Sequence, residues 1–197
     1  MEARTQYQTI EAKEVIDGRH PPVIFPVIAK SEQGIIPAGC VLAKDSDGKV
    51  VPYAVVSDEE MTGLVNDANK VFTHTSEAAP LQPGSVKVTH GLVELADNGH
   101  GVIAGTGGSG TVDYETGAIS VSFQSAPAAD SGSPEVEVAR AVFAVAIRPT
   151  DTSREDIVSA IVHGTVLKTA LVIGIAAGAI TQAAVDALAK IGIYATL

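Results

Sequence analysis

The amino-acid sequence predicts an α+β protein that is mainly β: a small β-rich domain with one C-terminal helix, interrupted by an all-β, sandwich-like insert. Three observations carry that expectation. Between residues 80 and 134, short alternating runs separated by turn residues (S-V-K-V-T-H, G-L-V-E-L, G-T-V-D-Y, A-I-S-V-S-F) have the spacing of an all-β unit. On either side the texture changes to continuous apolar runs, V-I-F-P-V-I-A at 23–29 and A-V-F-A-V-A-I at 141–147, as expected of strands buried on both faces. A clear helical stripe occurs at 182–191, after Thr181. With 197 residues there is room for one domain or two small ones, and 46% hydrophobic against 18% charged residues is a folding composition.

Taken in order, residues 1–22 are polar, weakly alternating at Thr5, Tyr7 and Thr9, and end in Asp17-Gly18 and Pro21-Pro22. That composition favours an extended arm without a core of its own. The run at 23–29 reads as a buried strand that Pro26 confines to an edge or a bulge. Next, 40–44 and 49–53 flank Asp45-Ser46-Asp47-Gly48, where Asp-Gly supplies the positive φ of a tight hairpin. Residues 57–72 read two ways. Ser57 and Glu60 could form a capping box, with Met61, Leu64, Val65 and Ala68 on one helical face; Gly63, Asn66, Asp67 and Asn69 favour a loop into a strand near Val71.

The insert is placed at 66–140, long enough for a small domain. Asp97-Asn98-Gly99 and Glu115-Thr116-Gly117 are its turns, and 126–134, with two prolines, is its exit linker. The first domain then resumes, making it a split unit of 23–65 and 141–197. Strands are expected at 157–162 and 165–167, and a helix at 182–191 between the N-cap Thr181 and the stop at Gly192. Ala184, Leu188 and Ile191 form its buried stripe, with Asp186 facing Lys190.

Thirteen Lys and Arg against 23 Asp and Glu give a formal charge of −10, a field that repels polyphosphate; with no Trp and 4% aromatics, nucleic acid is not an expected partner. The single cysteine, Cys40, forms neither an internal disulfide nor a thiolate cage. The first residues lack an apolar stretch behind a basic start, so no signal peptide is expected. The apolar run 169–185 is Ala- and Gly-rich, contains Thr181 and Gln182, and reads as a buried strand followed by a helix instead of a membrane span.

Residues 105–110 match G-x-G-x-x-G, yet Thr111-Val112-Asp113-Tyr114 come next, a strand pattern with no helix to cradle a phosphate. Gly105, Gly107, Gly108, Ser109 and Gly110 are therefore expected in an outward hairpin loop of the insert. Asp45 to Gly48 echoes a calcium loop, but Val56 stands where a bidentate Glu belongs. His20, His74, His90, His100 and His163 lack metal-ligand spacing, Ser109 lacks the nucleophile-elbow frame, and Asp58-Glu59-Glu60 reads as a solvated charged face. No catalytic residue, metal or cofactor is expected, and the protein is not expected to be an enzyme.

Residues 36–53 resemble the head decoration protein D family of tailed bacteriophages such as lambda, and 142–146, 162–166 and 181–194 resemble that family's closing pattern. Residues 83–88, 97–101 and 110–123 resemble a small β-module recurring in phage structural proteins. The resemblance implies a non-enzymatic cement protein, made in the host bacterial cytoplasm and carried on the outer surface of the virion. Its partners would be the major capsid protein and itself, as a homotrimer at local three-fold positions of the expanded head. It also implies an N-terminal arm that orders on the shell, with Tyr7, Thr9 and Ile10 the candidates for adding a strand to a capsid sheet. The runs 141–147 and 170–179 are expected to supply core or trimer contacts. The alternative is a virion-displayed adhesin, with the insert binding glycan through Phe72, Tyr114 or Phe123, or a tail structural protein.

Overall fold

The computed structural model describes residues 14–197, in which β-strands dominate and one α-helix lies near the C-terminus. The first strands are β1 (Val23–Ile28), β2 (Ile35–Ile36), β3 (Val41–Lys44) and β4 (Val50–Pro52). Eight more make up the middle of the chain: β5 (Val55–Glu60), β6 (Val71–Thr75), β7 (Lys87–His90), β8 (Val93–Asp97), β9 (Val102–Gly105), β10 (Gly108–Val112), β11 (Ala118–Phe123) and β12 (Glu135–Ala139). The chain closes with β13 (Val142–Ala146), β14 (Thr150–Asp151), β15 (Ile157–Leu167), β16 (Val172–Ile173), β17 (Gly178–Ala179), the helix α1 (Gln182–Lys190) and β18 (Ile193–Thr196).

The first sheet has the order β1-β15-β13-β3-β4, with β18 parallel to the end of β15. The two distant parts of the chain meet where β3 pairs β13, Val41 opposite Val145 and Leu42 opposite Ala144. Side chains alternate between faces, so Val41, Ala43, Val145 and Ile161 pack toward Ala184, Ala187 and Leu188 of α1. Leu42, Ala144, Ala146, Val158 and Ala160 pack on the opposite side with Ala29 and Ile36. Both faces of β13 are therefore covered, which is why its sequence is apolar without alternation. Ala29 bridges Val50, curling the sheet so that the end of β1 approaches β4.

The β3–β4 hairpin forms as expected: Asp45 Oδ1 accepts from the amides of Asp47 at 3.1 Å and Lys49 at 2.9 Å, and Gly48 has φ +76°. Thr181 caps α1 by accepting from the Ala184 amide at 3.2 Å. The buried stripe differs, being Ala184, Ala187 and Leu188, with Ile191 left exposed; Asp186 accepts from Gln182 Nε2 at 2.8 Å. The two strands expected at 157–162 and 165–167 are one. It passes through Gly164 at φ +126°, where a Cβ would lie 2.8 Å from Pro22 Cα.

The second sheet runs β5-β12-β7-β8-β9-β10-β11-β6. Just beyond β5, Thr62 exchanges backbone hydrogen bonds of 2.7 and 2.9 Å with Thr73 in β6, which brings the two edges together. The insert is thus a nearly closed eight-stranded antiparallel barrel instead of a sandwich, with Phe72, Leu95, Ile103, Val121, Phe123 and Val138 inside. Small residues permit the curvature: a Cβ at Gly105 or Gly110 would lie 2.2 or 2.3 Å from a neighbouring strand's carbonyl oxygen.

The insert also begins earlier than residue 66. Val55 pairs with Ala139, Val56 with Val138, and Met61 lies in the barrel core, so 55–65 belong to the barrel. Of the two readings of 57–72, the loop and strand form. Asn66 Oδ1 accepts from the amides of Ala68 at 2.9 Å and Asn69 at 2.6 Å, a local turn that competes with helix. Residues 126–134 lead into β12, and the exit from the barrel lies at Arg140 and Ala141. Loop 77–85 pins that exit: Gln82 Oε1 accepts from the Val142 amide at 3.1 Å, and the Arg140 guanidinium donates to the carbonyls of Glu77 and Ala79.

Candidate functional site

Tyr7, Thr9 and Ile10 lie outside the described residues. Of the extended arm expected at 1–22, residues 15–20 are fastened to the first sheet. Val15 is 2% exposed, inside the core that includes Val166, Leu188 and Ile193. The Leu167 amide donates to the Val15 carbonyl at 2.9 Å, and the Asp17 amide to the Thr165 carbonyl at 3.3 Å. Thr165 Oγ1 donates to the Asp17 carbonyl at 2.8 Å and accepts from the His20 amide at 3.2 Å. The Asp17 carboxylate accepts from the Thr196 hydroxyl and from the Arg19 amide; the hydroxyl above all holds its pKa below the usual carboxylate value.

From there the chain enters β1, which is not the buried strand its composition suggests. Val23, Ile24, Phe25 and Ile28 are between 44 and 59% exposed, and Ile157, opposite Ile28, is exposed as well. Pro26 sits on this edge strand, as its missing donor requires, and among the described residues β1 pairs with β15 alone in the ladder. A run of large apolar side chains on an open strand edge is an interaction surface by default.

A second apolar surface is the β16–β17 hairpin. Ala170 and Leu171 are core residues, so the run 170–179 divides: its first two residues are buried and 175–179 are exposed, with Ile175 at 56%. The hairpin hangs on the head of β3, where the Val172 amide donates to the Gly39 carbonyl at 3.0 Å. Gly39 has φ +80°, and a Cβ there would lie 2.0 Å from the Ala170 oxygen, so this junction requires glycine. Ile35, also exposed, comes directly after Gly34, where an added Cβ would lie 4.0 Å from Ile175 Cδ1. The other run, 141–147, contributes core through β13.

On the barrel the expected glycine loop is mostly strand. Gly105 pairs directly with Gly108, Ser109 and Gly110 continue β10, and the turn consists of Thr106 and Gly107. The next element is β11, so no helix dipole faces the turn. This turn lies at the barrel end remote from the first sheet, with exposed Leu64 and Leu92 and a hollow of about 300 Å³ lined by His90, Val93, Gly107, Phe123, Pro127 and Ser131. The rings named for glycan stacking are committed elsewhere. Phe72 and Phe123 are buried, and the Tyr114 hydroxyl donates to Asp97 Oδ1 at 2.6 Å while accepting from the Gly101 amide at 2.8 Å.

One polar cluster was not anticipated from sequence. Glu59 Oε2 receives the Ser76 hydroxyl at 2.8 Å and lies 3.1 Å from His74 Nε2. The carboxylate, not the imidazole, holds the serine, so this is not the arrangement that activates a nucleophile. Its members come from β5, β6 and the turn after β6, and Glu59 had looked like part of a solvated face. Burial pushes the Cys40 thiol up to about 12, far from a reactive thiolate. Between the barrel base and α1 lies a cleft of about 440 Å³ with Tyr53, Gln82, Lys87, Glu137, Asp186 and Lys190 on its walls. Lys87 is paired there with Glu94 at 3.0 Å. Among the described residues no three His, Cys, Asp or Glu side chains converge on a point that could hold a metal, and no helix is long and apolar enough to cross a membrane.

Comparison with known protein families, characterised proteins and solved structures finds no match to the chain.

Proposed function

We propose that the protein is a capsid decoration protein of a tailed phage, binding the outside of the expanded head as trimers at local three-fold positions and joining neighbouring shell subunits without catalysis. The observation that carries this reading is the way the segments resembling that family converge. Residues 36–53, 142–146 and 162–166 supply β3, β4, β13 and part of β15 in one sheet, and 181–194 supply α1 and the start of β18 packed against it. The barrel between them is carried as an insert and projects outward. What the unit offers to a partner is exposed apolar edge and hairpin, which suits a protein whose work is done by buried area. Net negative charge suits a surface turned away from DNA.

The mechanism is mass action. A protein that binds only the expanded lattice lowers its free energy relative to ruptured shells, and modest contacts sum over a symmetric array. The arm before Glu14 reaches for the shell, with Tyr7, Thr9 and Ile10 adding a strand. Co-sedimentation with expanded, undecorated heads tests this: the full chain should pellet with the shells, and a chain lacking residues 2–13 should bind more weakly while keeping its melting temperature. A deletion through residue 18 would be misleading, because it removes Val15 and Asp17 from the folded unit. Equal binding by the 2–13 deletion would refute the arm's role, and absence of binding by the full chain would refute decoration.

A further inference from the structure

Two histidines far apart in the sequence become neighbours along the seam that fastens the chain before β1 to β15. Val23 pairs with His163, and the turn just before Val23 is held by Thr165, whose Oγ1 accepts from the His20 amide at 3.2 Å. The His20 and His163 rings come to lie with centroids 5.6 Å apart and planes at 59°. Gly192 leaves the room for this. The Gly164 amide donates to its carbonyl at 3.0 Å, and a Cβ on Gly192, at φ +85°, would lie 2.6 Å from His163 Cδ2. Each of the other three histidines has a ring nitrogen engaged, by Glu59 at His74, by Ser131 at His90 and by the Asn98 carbonyl at His100. Among the described residues no hydrogen bond engages a ring nitrogen of His20 or His163, and both residues are exposed.

One ion shared by two imidazoles fixes how far apart their rings stand. A zinc–nitrogen bond is about 2.0–2.1 Å and the ring centroid lies about 1.1 Å beyond the nitrogen, so ion and centroid are about 3.2 Å apart. Two such rings then have centroids about 5.2 Å apart at a tetrahedral angle, about 4.5 Å at the right angle of an octahedral or square site, and about 6.4 Å in a line. The 5.6 Å between His20 and His163 is nearest the tetrahedral value. Neutral imidazole is a zinc ligand, and exposure of both rings lets water take the remaining positions. A formal charge of −10 draws cations to the chain, and Arg19, beside His20 in sequence, is 70% exposed and turned to Asp17 at 3.4 Å.

We propose that His20 and His163 form a two-histidine site for a divalent transition-metal ion of tetrahedral preference, Zn²⁺ before others, with water in the two open positions. Each imidazole binds in its neutral form, one nitrogen giving its lone pair to the ion while the other keeps its proton. The ion clips the segment before β1 to β15, at the seam that Thr165 already stitches. The site stands on this geometry and is independent of the decoration reading.

The test uses the untagged full chain and zinc chloride in a neutral buffer that does not bind metal. Calorimetric titration should find one Zn²⁺ per chain. His20→Gln and His163→Gln should each weaken binding by about tenfold or more, since even a group that only supports a ligand is worth that much, whereas His90→Gln should bind as the unaltered chain does. Circular dichroism checks the fold of each variant. Histidine-ring NMR needs no variant: Zn²⁺ should shift the ring signals of His20 and His163 and leave those of His74, His90 and His100 in place. Zn²⁺ should also raise the melting temperature of the unaltered chain and not that of the His20→Gln chain. Absence of binding and of ring shifts at millimolar Zn²⁺, binding undiminished by either substitution, or shifts centred on the other three rings would overturn the site.

Discussion

Tyr114→Phe removes one oxygen from the base of the barrel and tests what holds the insert in shape. The Tyr114 hydroxyl donates to Asp97 Oδ1 at 2.6 Å and accepts from the Gly101 amide at 2.8 Å. The same carboxylate accepts from the amides of Gly99 at 2.9 Å and Gly84 at 2.6 Å, so one phenol and one carboxylate tie three separate turns together. A hydrogen bond to a charged acceptor contributes about 1.5–3 kcal/mol net, and phenylalanine also strands the Gly101 amide. Tyr114 is only partly buried and water can replace some of what is lost, which places the cost near the lower figure. For a unit of this size each kcal/mol moves Tm by roughly 4–8 °C, so calorimetry should find Tyr114→Phe lower by about 6–12 °C. Asp97→Asn and the double variant complete a cycle whose coupling should be on the order of 1 kcal/mol. Burial, and then the Asp97 carboxylate, raise the Tyr114 phenol above its ordinary 10.0, so the folded state favours the neutral form. That stabilisation is complete below pH 10.0, is lost as pH rises through the raised value, and should be missing from the Phe variant. A fall in Tm of less than about 2 °C, or strict additivity in the cycle, would refute the reasoning.

The same geometry sets three other outcomes. Asp17 has a depressed pKa, so its contribution is whole above the ordinary 3.8 and is lost as pH falls through the lower folded value. Amide NMR should show Asp17 and Leu167 leaving their native positions below pH 3.8 before the barrel core does, and Thr196→Val should move that change to higher pH. A thiol reagent at pH 8 should leave Cys40 unlabelled in the native chain and label it fully in denaturant; rapid native labelling would contradict its burial. Gly39→Ala should cost about 3 kcal/mol or more, measured by urea unfolding, because it meets both a positive φ and the Ala170 carbonyl.

Elements specified by neighbouring residues were legible in the sequence. The turn at 45–48 is fixed by its own Asp and Gly, and α1 by Thr181 and Gly192. The alternation between residues 80 and 123 placed β7, β8, β10 and β11 because each has one face in the barrel. Where partners come from far along the chain, local pattern was silent. V-V-S-D-E-E at 55–60 looks like a polar loop, yet it is β5, held by pairing with β12. Whether the insert was a sandwich or a barrel turned on the single pairing of Thr62 with Thr73. Composition described β1 as apolar without revealing that little would cover it. The Glu59, His74 and Ser76 cluster and the tie through Asp97 likewise exist only after the barrel closes.

Electron cryomicroscopy of expanded, undecorated tailed-phage heads, incubated with the protein and washed by sedimentation, tests the proposed decoration most directly. Trimeric density is expected over local three-fold positions, with the barrels pointing away from the shell. Bare three-fold positions on shells verified to be expanded would contradict it.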